Sequence, residues 1–419
     1  MNSKIPQKVV SDCEMQKDLK LTILMLCWEF PPNIVGGLSR HVFGLSAHLA
    51  MLGHEVHVLT AGTNELPTFE QMNGVNVHRV KPINEWDDHF FFWLAGLNLA
   101  MSFKADHLSK EIKFDLIHAH DWLVGAASIA LKGLLKVPLL TTIHATEHGR
   151  NNGIHTEMQQ FIHEKEQQLI VESDELIVCS EYMREGLISV FKAKNEKISI
   201  IPNGIEPLRA EINVGEIYPE LKQRNYIFSI GRIVKEKGFE TIIEAAAYAK
   251  EMDSECFFVI AGKGPLLQAY QEQIIARNLD KHVIFIGYIS DEQRNALIQG
   301  SAMAVIPSLY EPFGIVALET MILGKPTIVA NTGGMKGIVK HLQTGMLMVP
   351  GDAKSLLEQI EFLLNNPVKA EEIGEKGRQI VKSLYGWKRI ASETSRRMAD
   401  TIVNNRVNEN GRKVKPNNL

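Results

Sequence analysis

The stretch whose reading decides the fold is Ser308–Glu319, SLYEPFGIVALE, entered from the apolar run Ala302–Pro307, AMAVIP. The run reads as a strand buried on both faces. A polar turn with Glu311, Pro312, Phe313 and Gly314 follows, and an apolar-periodic helix starts at about Gly314 with Glu319 in its second turn. Pro312 has no N–H to lose and Gly314 lets the backbone approach a ligand closely, so the turn suits a strand-to-helix elbow. The amides of Gly314, Ile315 and Val316 would face an anion above the helix start. With Glu311 before that point and Glu319 beyond it, the elbow offers a charge cradle between two acceptors. A nucleotide diphosphate with a sugar at each end needs such a grip.

The same grammar of strand, polar or glycine turn and helix recurs outward from the elbow. Leu21–Cys27 reads as a buried strand, Trp28–Gly37 (WEFPPNIVGG) as a loop, Leu38–Leu52 as a helix capped by Gly53, and His54–Leu59 as the next strand. Further strands are expected at Val75–Val80, Asp115–His120, Leu139–Ile143, Glu175–Cys179 and Ile198–Ile201. A second series begins at Tyr226, with strands at Cys256–Ala261, Val283–Tyr288, Pro326–Ala330 and Gly345–Val349 around the elbow. This alternation predicts an α/β chain of two Rossmann-like, doubly wound domains facing a cleft. The expected divisions are a polar tail at 1–19, a first domain at 20–204, a hinge at 205–224 without clear periodicity, and a second domain at 225–386. A closing helix at 387–405 and a polar, basic, disordered tail at 406–419 complete the chain.

Size and composition narrow the class. The 419 residues, 45% of them apolar, can bury two cores. A net charge of −4 excludes an extended nucleic-acid partner, though not a local basic pocket. Cys13, Cys27, Cys179 and Cys256 lack ligand spacing, and Cys27, Cys179 and Cys256, in strand-like runs, read as reduced core residues of a cytoplasmic protein. The opening residues lack the apolar core of a signal peptide. Phe90–Phe103 is too short to span a bilayer, but its aromatic start could touch a membrane surface.

Candidate site residues gather at the expected carboxyl ends of strands, where ligands of such sheets collect. Gly36-Gly37 opens the first helix with amides suited to a phosphate; alone, such a pair is an ordinary tight turn. It lacks the GxGxxG spacing of a dinucleotide site, and no acidic residue ends the second strand. Asp121 in DLIHAHDW, and His144, Thr146 and Glu147 in LLTTIHATEHGR, sit where sugar hydroxyls could be bonded. In GRIVKEKG, Arg232 and Lys237 could neutralise a leaving diphosphate. Gly262–Pro265, including Gly264, and Thr332–Gly334 close further strands. Each turn is unremarkable alone; their convergence in one domain is the argument. His118, His120, His144, His148, His155 and His163 raise a metal site, but their spacing matches no known ligand motif, so metal is the weaker reading. No DxD pair is present to hold a diphosphate through a metal, and no resident cofactor is expected.

Taken together, WEFPPNIVGG, HAHDW, TTIHATEHGR, GRIVKEKG, GKGP and EPFGIVALE resemble the retaining glycosyltransferases of family 4, of GT-B fold, over about Leu21–Asp400. Within that family they look most like the glycogen and α-glucan synthases. The resemblance implies that Arg232 and Lys237 hold the diphosphate, Glu311 the transferred sugar and Glu319 the ribose. It places Gly37 near the donor phosphates and Asp121 and His144 at the reacting sugar, and implies a last helix that crosses back to the first domain. It further implies same-face attack, with the leaving phosphate helping to deprotonate the acceptor. Three departures bear on donor and acceptor. Val35 stands where long bacterial synthases carry lysine. Glu319 is a glutamate they lack. Gly337 stands where many members have glutamate.

The expectation is a metal-independent hexosyltransferase moving glucose from a UDP-, ADP- or GDP-linked donor to a glucan or other glycoside. Glycosyltransfer to a cell-surface polysaccharide or glycolipid is the nearest alternative. A sugar-nucleotide epimerase would need acid and base groups at the sugar. A non-catalytic sugar-nucleotide sensor would bind without transfer.

Overall fold

In a computed structural model, residues 20–34, 36–209, 211–222 and 224–413 are described. The expected tail at 1–19 lies outside them, as does Val35. The chain divides into two compact units. One comprises the chain up to Val178, Arg184–Gly204, and the chain from Trp387 onward; the other comprises Cys179–Met183 and Ile205–Gly386.

In the first unit, β1 (Thr22–Leu26), α1 (Gly37–Met51), β2 (Glu55–Ala61), β3 (Phe69–Met72), β4 (Val75–Val80) and α2 (Phe90–Ser109) come first. Then follow β5 (Leu116–His120), α3 (Gly125–Leu135), β6 (Leu139–Ile143), α4 (Glu147–Asn151), α5 (Glu157–Glu172), β7 (Glu175–Val178), α6 (Glu181–Phe191) and β8 (Ile198–Ile200). The sheet order is β3-β4-β2-β1-β5-β6-β7-β8, parallel throughout except for β3. The sequence reading lacked β3. Its FEQM alternates exposed and half-buried along a sheet edge, so it carries no apolar signal. β1, β5 and β6 are apolar or buried throughout because helices cover both faces.

The second unit contains α7 (Val214–Ile217), β9 (Ile227–Ile230), α8 (Phe239–Glu251), β10 (Phe258–Ala261), α9 (Leu267–Ala276), β11 (Val283–Gly287) and α10 (Asp291–Gly300). It continues with β12 (Met303–Ile306), α11 (Ile315–Ile322), β13 (Thr327–Ala330), α12 (Met335–Ile338), β14 (Met346–Met348), α13 (Ala353–Asn365) and α14 (Pro367–Leu384). Its all-parallel sheet runs β11-β10-β9-β12-β13-β14. The segment 205–224, expected as a hinge, belongs to this unit: Leu221 is buried in its core, with Val214 and Tyr218 packed alongside. Short turns replace a period there, so no amphipathic pattern marked it.

The last helix, α15 (Trp387–Lys413), belongs to the first unit, whose core takes Trp387, Ile390, Ala391, Met398 and Ile402 against Val42, Leu45 and Leu49 of α1. It continues through 406–413, which corrects the expected disordered tail from 406; residues 414–419 lie outside the described ones. Two glycines receive the Trp387 indole. A Cβ on Gly44 or Gly204 would come within 2.3 Å of its ring. No helix among the described residues is long and apolar enough to cross a membrane.

Strand order reverses between β1 and β5 in one sheet and between β9 and β12 in the other. At such switch points the connections leave to opposite faces, opening a crevice beyond the strands' carboxyl ends. The WEFPPNIVGG loop and Asp121 follow β1 and β5; GRIVKEKG and the elbow follow β9 and β12.

Candidate active site

In the second unit the elbow is held by neighbouring loops. Glu311 lies beyond β12, and Lys237 Nζ, from the loop after β9, donates to its Oε2 at 2.7 Å. Ser308 Oγ donates to the same oxygen at 3.2 Å. The backbones interlock as well: Leu309 N donates to Glu236 O at 2.8 Å and Gly334 N to Glu311 O at 2.9 Å. Gly333 sits at φ +52°, and a Cβ there would lie 2.0 Å from Glu311 O. The 333–334 turn is therefore glycine because it presses against the elbow. Gly314, at φ +120°, precedes α11, and the amides of Ile315 and Val316 open its first turn on half-buried residues.

Arg232 is exposed, and no carboxylate pairs with it among the described residues. The loop thus carries one exposed guanidinium with no carboxylate partner and an ammonium already paired to Glu311, charges able to take up an anion. Glu319 is 7% exposed and pairs with Arg294 Nη1 at 3.0 Å. Arg294 comes from α10 and is itself buried. Sequence reasoning missed it: DEQRNALIQG looks like a solvated helix, and only packing turns this arginine inward. Two further expectations change. Phe313 is buried, its ring 5.9 Å from that of Tyr385, so its side chain packs in the core beneath the elbow's turn. Gly264 is explained by close backbone packing, since a Cβ there would lie 2.3 Å from Ile233 O.

In the first unit, Asp121 follows β5 at φ 61°, ψ 172°, an unusual conformation for a residue with a side chain. Its Oδ1 accepts from His144 N at 2.7 Å, and its own amide donates to Thr142 O at 3.0 Å. The carboxylate thus clamps the ends of β5 and β6 together. Burial pushes its pKa up to about 6, against the hydrogen bond from the His144 amide and the nearby Arg150. Behind it, buried Glu166 of α5 accepts from Glu147 N at 2.8 Å, and burial raises its pKa to about 8.

The histidines divide. His118, His120 and His144 gather: His118 Nε2 lies 2.8 Å from Thr142 Oγ1, and His120 Nδ1 lies 3.1 Å from His144 Nε2. His155 instead bonds Asn151 O, and His163 lies against the Phe191 ring. A histidine the sequence reading left out joins the cluster. His41, on α1, has its ring 4.8 Å from that of His144 and 5.5 Å from that of Trp387. Its place four residues after Gly37 is the signal that could have found it, one helical turn behind the glycine pair. Gly36 donates its amide to Glu29 Oε2 at 3.1 Å, and the nearest atom to a Cβ there is 4.0 Å away. The backbone needs no glycine at 36, and its amide is taken up by Glu29.

The family "Glycosyl transferases group 1" matches residues 215–380, and "Glycosyltransferase Family 4" matches residues 35–209. An uncharacterized glycosyltransferase of Methanocaldococcus jannaschii is 34% identical over 383 residues, covering 89% of this chain and 97% of its own. The chain belongs to glycosyltransferase family 4. It is a hexosyltransferase of GT-B fold, glycogen synthase-like. The glycogen synthase of Mycobacterium tuberculosis is 32% identical over 392 residues, covering 90% of this chain and 94% of its own. In fold it is similar to sucrose-phosphate synthase from Thermosynechococcus elongatus, with a TM-score of 0.79, 24% identity and coverage of 92% of this chain and 100% of that one. The Arabidopsis thaliana starch synthase IV catalytic domain, bound to ADP and acarbose, gives a TM-score of 0.73 at 19% identity, covering 92% of this chain and 100% of that one.

Proposed function

We propose that this family 4 enzyme transfers glucose, with retention at the anomeric carbon and without a metal, from a nucleoside-diphosphate glucose to an α-glucan. The observation that carries the reading is the Lys237–Glu311 pair at the switch point of the second sheet, with the exposed Arg232 in the same loop as Lys237. In this reading an incoming diphosphate draws Lys237 toward itself, with Arg232 and the first amides of α11 completing the anion grip. Glu311, released from Lys237, accepts hydrogen bonds from the sugar hydroxyls, and Arg294 orients Glu319 toward the ribose. Positive charge held at the diphosphate lowers the energy of its departure, where negative charge develops. Asp121 holds the His144 backbone in place, and His144 contacts the reacting sugar. The leaving phosphate takes the acceptor proton, so no side-chain base is required.

Support for the glucan acceptor comes from the glycogen synthase similarity along nearly the whole chain. The test supplies UDP-, ADP- and GDP-glucose with malto-oligosaccharides. It follows nucleotide release, product mass and the anomeric signal by NMR. An α-linked, lengthened product formed in the presence of a chelator is expected; no nucleotide release with any of the donors and acceptors overturns the reading.

One observation favours a second acceptor class. Trp86 (85% exposed), Phe90 and Phe92 present aromatic surface around the start of α2, as a glycolipid acceptor at a membrane surface would require. Preference for a lipid-linked acceptor in vesicles over malto-oligosaccharides would establish that alternative.

A further inference from the structure

The first unit packs four imidazoles, His41, His118, His120 and His144, several of whose ring nitrogens lack a partner. His41 and His120 are 4% and 0% exposed. Among the described residues, Nε2 of His120 and Nδ1 of His118 find no hydrogen-bond partner, and His41 has only the Asn203 side chain, outside good hydrogen-bond geometry. Buried polar atoms are normally paired, and unpaired ones in a native fold call for an explanation such as an ion. One nitrogen from each of His41, His120 and His144 lies within 4.8 Å of the other two. The three arrive from α1, β5 and the end of β6, so the sheet and the helix packed on it set their spacing.

We propose that His41, His120 and His144 form a binding site for one transition-metal dication, Zn2+ foremost, and that the bound ion inhibits transfer by engaging His144. Tetrahedral zinc–nitrogen bonds of about 2.0–2.1 Å set ligand nitrogens about 3.3 Å apart. Small side-chain rotations reach that spacing from the present one, with His41 turning away from the Asn203 side chain. The ring contact between His120 and His144 opens to admit the ion. Burial lowers the pKa of all three rings, that of His144 to about 3, so they are neutral imidazoles, the form that ligates. Three imidazoles select Zn2+, Ni2+, Co2+ or Cu2+ over Mg2+ and Ca2+, which prefer oxygen. Asp121 offers little competition as a ligand, because its Oδ1 holds the His144 amide. His144 is only partly buried, which leaves a side for the ion's entry and a water as fourth ligand. The metal-binding claim stands on geometry alone; the inhibition rests on the proposed role of His144 in transfer.

The experiment titrates metal-free, full-length protein with Co2+, read by the visible absorption of a tetrahedral site, and with Zn2+ against a chromogenic chelator. One equivalent bound, unaffected by excess Mg2+, is expected. His41→Asn and His120→Asn should each weaken binding at least 100-fold, while His155→Asn leaves it unchanged. Micromolar Zn2+ should inhibit the wild-type enzyme, and EDTA should restore it. Absence of stoichiometric binding, or binding untouched in both folded variants, overturns the site. Should the variants not fold, anomalous scattering from zinc-soaked wild-type crystals decides: an ion at the three imidazoles supports the site, and one elsewhere overturns it. Binding without inhibition keeps the site and removes His144 from the catalytic reading.

Discussion

Replacing Glu166 by Gln tests whether a buried carboxyl behind the His144–Glu147 loop is protonated at neutral pH. Glu166 is 2% exposed, its Oε1 accepts from Glu147 N, and Oε2 has no partner. Burial raises its pKa from 4.5 to about 8, with Asp121 and Glu147 adding repulsion and Arg150 opposing. Between those values the folded chain holds a proton that the unfolded chain has lost, so stability falls as pH rises through the window. From pH 6 to pH 9 the folded group crosses two units at about 1.4 kcal/mol each, a loss of about 3 kcal/mol. Gln keeps the acceptor for Glu147 N and does not titrate. The variant should match the wild type only near pH 4.5, and its advantage should widen from about 2 kcal/mol at pH 6 to about 5 kcal/mol at pH 9. All five tryptophans, Trp28, Trp86, Trp93, Trp122 and Trp387, lie in the first unit, so denaturant unfolding followed by their fluorescence reports on the unit containing Glu166. Parallel stability–pH curves for the two proteins would refute the reasoning.

Lys237→Ala and Glu311→Ala should each reduce turnover at least 100-fold with little change in melting temperature, and the double variant should lose far less than the product of the two. Arg294→Ala removes a buried ion-pair partner of Glu319 and should destabilise the second unit, by up to about 3–5 kcal/mol, measured by calorimetry. Gly264→Ala sets a methyl 2.3 Å from Ile233 O and should lower both melting temperature and donor affinity, unlike Gly337→Ala, where the space is open. Trp387→Ala empties the seat between Gly44 and Gly204 and should cost about 3–5 kcal/mol, read from the four remaining tryptophans.

Most of the architecture was legible because both sheets are parallel and buried: runs such as TILML, LLTTI and MAVI have to be interior, and each ends in a turn of glycine or charge. β3 and the segment 205–224 were not, one an edge strand without apolar alternation, the other a chain of short turns around Leu221. The elbow's Glu311, Gly314 and Glu319 could be read from their order along the chain. Their partners could not: Lys237 was read as a basic residue after a strand but not as the partner of Glu311, and Arg294 lies in a helix whose composition looks solvated. Phe313 shows the same limit from the other side: in sequence it belongs to the elbow, yet it packs against Tyr385 in the core.

By itself, then, the sequence determined the two strand–helix series, the elbow and the charges that follow each strand, because periodicity and turn chemistry are local. Only the tertiary structure decided which charges meet. It paired Lys237 with Glu311 and Arg294 with Glu319, set Asp121 on the backbone of His144, and drew His41 from α1 into the histidines of β5 and β6. Strand order and helix packing bring those groups together across separations that no local pattern encodes.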